Sequence, residues 1–256
     1  MEIKEHILTH NDCWKAGRTI TPKGVMVHSL GVAQPNVQVF LDTWNVPDHD
    51  SCVHAFVHQG GVVQTLPWNW RGWHAGTGTS GQSANNTHIS FEICEPAGHT
   101  YDGGTMIGYD PAKNAAYFGI VYRNAVELTA QLCKKYALNP LAPGVVLCHS
   151  EGHAQGIASN HADVMHWFPK HGKNMDMFRA DVKKAMEGGE EELTQQQFDE
   201  MLAAHEKAIA ARPVSDWAKE AWDKAVEQKI FDGTQPGGIF TREQAAVVFE
   251  RLGLIK

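Results

Sequence analysis

The sequence contains no run of about 18 uninterrupted apolar residues, which excludes a membrane-spanning helix and leaves no basis for a membrane partner. Basic charge is scarce: 22 Lys and Arg stand against 29 Asp and Glu, for a net charge of -7, so the electrostatic footprint of a nucleic-acid binder is missing. Cysteine is sparse too. Cys13, Cys52, Cys94, Cys133 and Cys148 are odd in number and scattered, without the paired spacing of a disulfide framework or a cysteine-rich zinc knot, and are read as buried thiols. The opening segment MEIKEHILTHNDCWKAG lacks the apolar core of a secretory leader, so synthesis in the cytoplasm without a signal peptide is expected.

What is present points to the first two thirds of the chain. With 256 residues and 43% hydrophobic content, one main domain with a small appendage is expected. Of 15 histidines only His205 lies beyond His171, so the chemistry belongs to the first part. The segment EGGEEEL at 187–193 reads as a linker, because two glycines and an acidic run follow a helical pattern ending near Met186. Residues 1–186 carry 14 basic and 15 acidic side chains, and residues 187–256 carry 8 and 14, so acidity is concentrated in the tail.

Within the first part, GVMVH (24–28), HAFVHQGGVVQTL (54–66), HISFEIC (88–94) and GVVLCH (144–149) are β-rich runs between turn signals and read as strands. The glycine pair in VHQGGVVQ marks a hairpin turn or a bulge. Phe118, Val121, Tyr122, Ala125, Leu128 and Leu132 recur at helical steps. The expected class is α/β, a mixed central sheet flanked by helices, followed by a small helical C-terminal region. In that region Thr194 with Gln197, Ser215, and Thr241 with Gln244 are candidate helix caps, and Asp232-Gly233 and Pro236-Gly237-Gly238 separate the last two helices.

Three strands carry polar residues where a site gathers: His28 ends GVMVH, Glu92 lies inside HISFEIC, and His149 ends GVVLCH. The run HSEGHAQGIASNHAD adds His153, His161 and Asp163 on an expected glycine-containing loop. Histidine and carboxylate ligands from separate elements, leaving a position for water, are what a catalytic zinc requires. A lone buried histidine is more often a hydrogen-bonded core residue, a lone strand glutamate more often faces solvent, and no HExxH helix is present. Spacing alone leaves both readings open.

The segments MVHS, HAFVHQGGVVQTLPWNWRGWHAG, NNTHISFEICEP, and VVLCHSEGH with ASNHAD, in this order, resemble the type 2 N-acetylmuramoyl-L-alanine amidases. That family includes phage endolysins, bacterial autolysins and animal peptidoglycan recognition proteins, and the resemblance covers roughly residues 20–170. The run GIASNHAD followed by HWF is most like amidase domains of phages and prophages of Gram-positive bacteria. The resemblance implies zinc held by His28, His149 and Asp163, with peptidoglycan as substrate. It also leaves His153 as an alternative to His149, since a common family interval of ten residues before Asp163 falls there. It implies Glu92 as the catalytic carboxylate and His161 in place of a common lysine, with Trp73 and His74 of the WHAG stretch bordering the substrate groove. The implied reaction is attack of a zinc-activated water on the amide between muramic acid and L-alanine, with Glu92 moving the proton and His161 supporting the oxyanion. Trp68, Trp70 and Trp73 are left open as core or groove wall.

The tail phrase WAKEAWDKAVEQKIFDGTQPGGIFTREQAAVVFERLG resembles one surface-layer homology unit, which implies binding to secondary cell-wall polymers by residues 194–256. The alternative is a helical appendage that packs on the main domain or dimerises. For the main domain the alternatives are a non-catalytic peptidoglycan-binding protein on the same fold and a different zinc hydrolase such as a peptidase. Action at the bacterial cell wall after release, as a phage or prophage endolysin, is the expected setting.

Overall fold

The computed structural model describes residues 3–188 and 195–255. The chain divides into two compact units, Met1–Gly189 and Glu190–Lys256. In chain order the first holds β1 (Ile3–Glu5), α1 (Asp12–Ala16), β2 (Gly24–Ser29), α2 (Val37–Trp44), β3 (Ala55–His58), β4 (Gly61–Gln64), β5 (His88–Ile93), β6 (Thr100–Asp102), β7 (Thr105–Ile107), α3 (Ala115–Lys135), β8 (Val146–Cys148), α4 (His149–Ala154) and α5 (Met175–Met186). The second holds α6 (Gln195–Ala210), α7 (Lys219–Glu227) and α8 (Arg242–Arg251). No described helix is long and apolar enough to cross a membrane.

Six strands form one mixed sheet in the order β1-β4-β3-β5-β2-β8. Strands β3, β5, β2 and β8 run parallel, and β4 turns back antiparallel to β3 through the two-residue turn Gln59-Gly60. The period-two alternation of strand side chains gives the sheet two unlike faces. Val25, Val27, Ile89, Phe91 and Ile93 join the main core, together with the α3 stripe Phe118, Val121, Tyr122, Ala125, Leu128 and Leu132 and with Phe178 and Val182 of α5. The alternate positions, Met26 and His28 on β2 and His88, Ser90 and Glu92 on β5, lie on the opposite face.

Two expectations change. His149 does not end a strand; it opens α4, and six residues of the expected loop are helical. Glu151 at the third helical position accepts from the Cys148 backbone N–H at 3.2 Å, and Arg179 holds that carboxylate at 3.0 Å, so the start is secured by a side chain the strand reading overlooked. Gly156, at φ 75°, ends the turn: its N–H reaches the His153 carbonyl and that of Ile157 reaches Gly152, a closure that requires the left-handed conformation. In the second unit Ser215 precedes a short 3-10 turn at Asp216–Ala218 without a side-chain cap bond, and Trp217 lies before α7, 90% exposed. The Thr241–Gln244 capping box forms, with both hydrogen bonds present. Thr194, most of the proposed linker, and the side chain of Gln197 lie outside the described residues.

On the polar face His54 is fully buried, its Nδ1 accepting from the Ser90 N–H at 3.0 Å and its Nε2–H donating to the Trp70 carbonyl at 2.8 Å. Burial pushes its pKa from 6.5 down to about 4. The unfolded chain therefore takes up a proton below pH 6.5 that the folded chain refuses until about pH 4. Stability is full above that window and is lost as pH falls through it, by about 2 kcal/mol at pH 5 and roughly 3 kcal/mol at its lower edge. Urea unfolding at pH 7 and pH 5 should show this loss in the wild type and a smaller one in His54→Gln; equal losses would remove His54 as the cause.

Candidate metal centre and active site

The register of the parallel strands assembles the site. His28 on β2 pairs directly with Glu92 on β5, and Val27 pairs with Cys148, so His149 emerges beside His28. This is the C-terminal end of the parallel strands, where loops converge over the sheet. Asp163 arrives on the segment after α4. The His28 Nδ1 lies 2.9 Å from Asp163 Oδ2 and 3.1 Å from His149 Nδ1, and His149 Nδ1 lies 3.6 Å from the same carboxylate oxygen. Ligand atoms about 2.0–2.1 Å from a tetrahedral zinc are about 3.3 Å from one another, so the spacing fits such an ion.

The outer hydrogen bonds point the same way. His28 Nε2 meets His74 Nδ1 at 3.0 Å, and His149 Nε2 meets Ser159 Oγ at 3.2 Å, with that hydroxyl donating onward to the Ala75 carbonyl. With the outer nitrogens donating, both Nδ1 lone pairs face the centre, where two acceptors 3.1 Å apart call for a cation. When no cation is bound, His28 can instead donate its Nδ1–H to Asp163; burial works to raise the Asp163 carboxyl, but that hydrogen bond and the charge of His28 and His149 outweigh burial and hold it below the usual carboxylate range. Burial and the neighbouring His28 push His149 down to about 4, the neutral form a metal takes.

Glu92 is half-buried at the edge of this group, and its Oε2 is buried without a partner among the described residues. Burial, with Asp163 and Glu95 adding their charge, pushes its carboxyl well above the usual range. His161 is exposed, its Nδ1 3.2 Å from His149 Nε2 and 3.1 Å from Ser159 Oγ. His153 points elsewhere, its Nδ1 3.3 Å from the Ala158 carbonyl, and His149 is the histidine that joins His28 and Asp163.

His28, Glu92, His149, His161 and Asp163 open into a cavity of about 450 Å³ also lined by Trp44, Trp73 and His74. Asn85 fixes the WHAG stretch, its side-chain oxygen accepting from the backbone N–H of both His74 and Ala75 at 2.9 Å. Burial, with the surrounding histidines, holds His74 well below its ordinary pKa, so its ring stays neutral. The aromatic run divides: Trp68 packs on the main core, Trp70 stacks on Trp14 at 4.1 Å, and Trp73 alone of the three faces the cavity. Tyr101 and His166, also in the lining, went unread in the sequence, although Glu95, His99 and Tyr101 form a polar cluster just past the Glu92 strand.

Two imidazoles and a carboxylate around one centre, with a second carboxylate alongside in an open cavity, form a donor set that could hold a metal ion, the arrangement metal-assisted hydrolases use. The chain belongs to the N-acetylmuramoyl-L-alanine amidase family, whose model matches residues 5–169. It is 26% identical over 161 residues to the N-acetylmuramoyl-L-alanine amidase CwlH of Bacillus subtilis (strain 168), a match that covers 61% of this chain and 61% of that relative. Among solved structures it resembles the Staphylococcus aureus hydrolase AmiA in complex with its ligand, at TM-score 0.53 and 19% identity over 73% of this chain and 83% of that one. It also resembles PlyL, at TM-score 0.53 and 20% identity over 71% of this chain and 97% of that one. The catalytic domain of XlyA matches at TM-score 0.52 and 21% identity over 71% and 99%. These structural likenesses establish the shared fold.

Proposed function

We propose that the chain hydrolyses the amide bond between N-acetylmuramic acid and L-alanine in peptidoglycan, with zinc held by His28, His149 and Asp163. The observation that carries this reading is the convergence of those three ligand atoms within 4.8 Å beside the unpartnered Glu92 oxygen. A zinc ion bound there supplies Lewis acidity, polarising the amide carbonyl and lowering the pKa of water. Glu92 takes the proton of the attacking water and delivers it to the departing alanine nitrogen. His161, braced by Ser159, hydrogen-bonds the oxygen that gains charge as the carbonyl becomes tetrahedral. Trp73 and His74 border the groove that receives the substrate.

End-group analysis of digested peptidoglycan tests the bond. A new alanine amine and a lactyl carboxylate are expected; new reducing sugars or other free amines would replace the amidase reading with a glycosidase or a peptidase. In the same assay on a soluble muropeptide, His161→Ala should lower turnover by about 10²-fold with metal content unchanged.

We further propose a lytic role at the cell wall, as for a phage or prophage endolysin, supported by the likeness of Gly156–Asp163 and His166–Phe168 to such domains. Residues 194–256 are proposed to hold secondary cell-wall polymers. Their described part offers a cavity of about 550 Å³ lined by Trp222, Phe231, Phe240 and Arg251 among others. Deleting residues 190–256 should leave the first unit folded and turnover of a soluble muropeptide intact, while binding to whole cell walls falls. Loss of folded protein on truncation would instead make the tail part of the main fold.

A further inference from the structure

The two histidines of the proposed centre are steered from outside it, His28 by His74 and His149 by Ser159. The Asp163 carboxylate is not. Among the described residues it contacts His28, His149 and its own backbone amide, so its aim is set by the backbone that carries it. Val164 and Trp167 sink that segment into the main core, but apolar packing is non-directional and fixes depth more than orientation. Orientation comes from hydrogen bonds. The Asp163 carbonyl accepts from the Ser150 N–H at 3.1 Å, and the His166 N–H donates to the Ala162 carbonyl at 3.2 Å, closing one turn around Asp163. The setting of that turn therefore follows the His166 ring.

That ring is tied to a buried acid. The Tyr101 hydroxyl donates to Glu95 Oε2 at 2.6 Å, which leaves its oxygen to accept from His166 Nε2–H at 2.8 Å. Glu95 is fully buried and also accepts from the Gly31 N–H and from His99 Nε2, each at 3.0 Å. Gly31 stands three residues beyond His28, and His166 three beyond Asp163, so one carboxylate tethers the chain just past two of the three ligands. A buried carboxylate is tolerated only when so paired. Every partner is a donor, and a carboxamide in its place would set an N–H against one of them. Burial works to raise Glu95, but the hydrogen bonds from His166, Tyr101 and Gly31 outweigh it and keep the carboxyl below its ordinary range. The hairpin that carries Tyr101 touches the same turn at its tip: a Cβ at Gly104 would lie 3.2 Å from that of Ala162, the neighbour of Asp163.

We propose that Glu95 is a positioning residue for the metal centre: through Tyr101 and His166 it fixes the backbone turn that aims Asp163, and so sets how tightly zinc is held. This role rests on the zinc ligands proposed above and not on which bond is cut. The test is the zinc Kd of the full chain, read by competition with a chelator, for the wild type, Glu95→Gln, Tyr101→Phe and Tyr122→Phe. The last is the control for general loss of stability, since the Tyr122 hydroxyl donates to Asp181 Oδ2 at 2.7 Å between α3 and α5, outside the cavity lining. Glu95→Gln and Tyr101→Phe should each weaken zinc by about tenfold, the lower end of the 10 to 100-fold cost of changing groups outside a ligand set. Tyr122→Phe should lower the thermal midpoint and leave zinc affinity unchanged. Wild-type zinc affinity in Glu95→Gln and Tyr101→Phe, or an equal loss in Tyr122→Phe, would overturn the proposal. If Glu95→Gln does not fold, Tyr101→Phe against Tyr122→Phe decides it, because Tyr101→Phe cuts the link to His166 and leaves the Glu95 charge with its Gly31 and His99 partners. A wild type that binds no zinc removes the ligand set and this role together. One that binds zinc and cuts no muropeptide removes the amidase reading alone, and the Kd comparison still decides the role of Glu95.

Discussion

Replacing Glu92 by glutamine should lower kcat on a soluble muropeptide by about 10³-fold while the protein keeps its fold and its metal. The magnitude follows from the chemistry, since a side chain that first removes and then returns a proton contributes typically about 10² to 10⁴-fold. Several features of Glu92 suit it to that role. It stands in register with His28, one of its oxygens is buried without a partner among the described residues, and burial beside Asp163 and Glu95 raises its affinity for a proton. Glutamine preserves the volume and a hydrogen-bonding oxygen but accepts no proton, so loss of rate with retained substrate affinity separates chemistry from binding. Because Glu92 receives no hydrogen bond at the buried oxygen, the substitution should leave stability unchanged or improve it, as removing a buried acid commonly does. A variant with wild-type kcat would move the proton transfer to another group, with His161 the next to test.

The second large effect concerns the metal. Purified protein should carry about one zinc per chain, and His28→Ala, His149→Ala and Asp163→Ala should each lose it together with activity, since two remaining ligands do not hold a catalytic zinc. Chelation of the wild type should abolish turnover and added zinc should restore it. The comparison of His149→Ala with His153→Ala is the sharpest, because the two residues sit four apart on α4 and only His149 reaches Asp163. Zinc content near wild type is expected for His153→Ala, whose ring meets the Ala158 carbonyl instead. Metal loss in that variant with retention in His149→Ala would reverse the assignment. Partial weakening by about 10 to 100-fold is the expectation for His74→Ala, which touches His28 without being a ligand.

The sheet was legible in the sequence because its two faces differ in kind. His88, Ser90 and Glu92 alternate with Ile89, Phe91 and Ile93, and that period of two marks a strand with one apolar side. The α3 stripe was equally plain, being 21 residues with a continuous apolar face. Short elements were not. Strand β1 has three residues, α1 has five, and the β6–β7 hairpin pairs three with three, too few for any period to show. Helix α1 did leave a trace, since Asn11 and Gly17 bracket it as caps, and a reading by caps alone would have found it. For the site, residue type and order left the reading open, and the family resemblance singled out His28, Glu92, His149 and Asp163, which the fold brings together, but the choice between His149 and His153 depended on where β8 gives way to α4. That boundary is set by Glu151 and Arg179, 28 residues apart, which no local pattern contains. The Glu95 cluster escaped for the same reason: Tyr101 and His166 meet across 65 residues of chain.

The WHAG stretch supports both histidines proposed to hold the metal at once. His74 receives the outer nitrogen of His28, Ala75 receives through Ser159 the outer nitrogen of His149, and the N–H groups of these two neighbours share one oxygen of Asn85. The two imidazoles are therefore not oriented independently. They turn as a linked pair on one short backbone segment, so a displacement of that segment shifts both rings together, and the free energies of perturbing them are coupled rather than additive. A single carboxamide, placed in the chain ahead of β5 and far ahead of β8, thereby aligns two imidazoles that enter the site from the ends of separate strands.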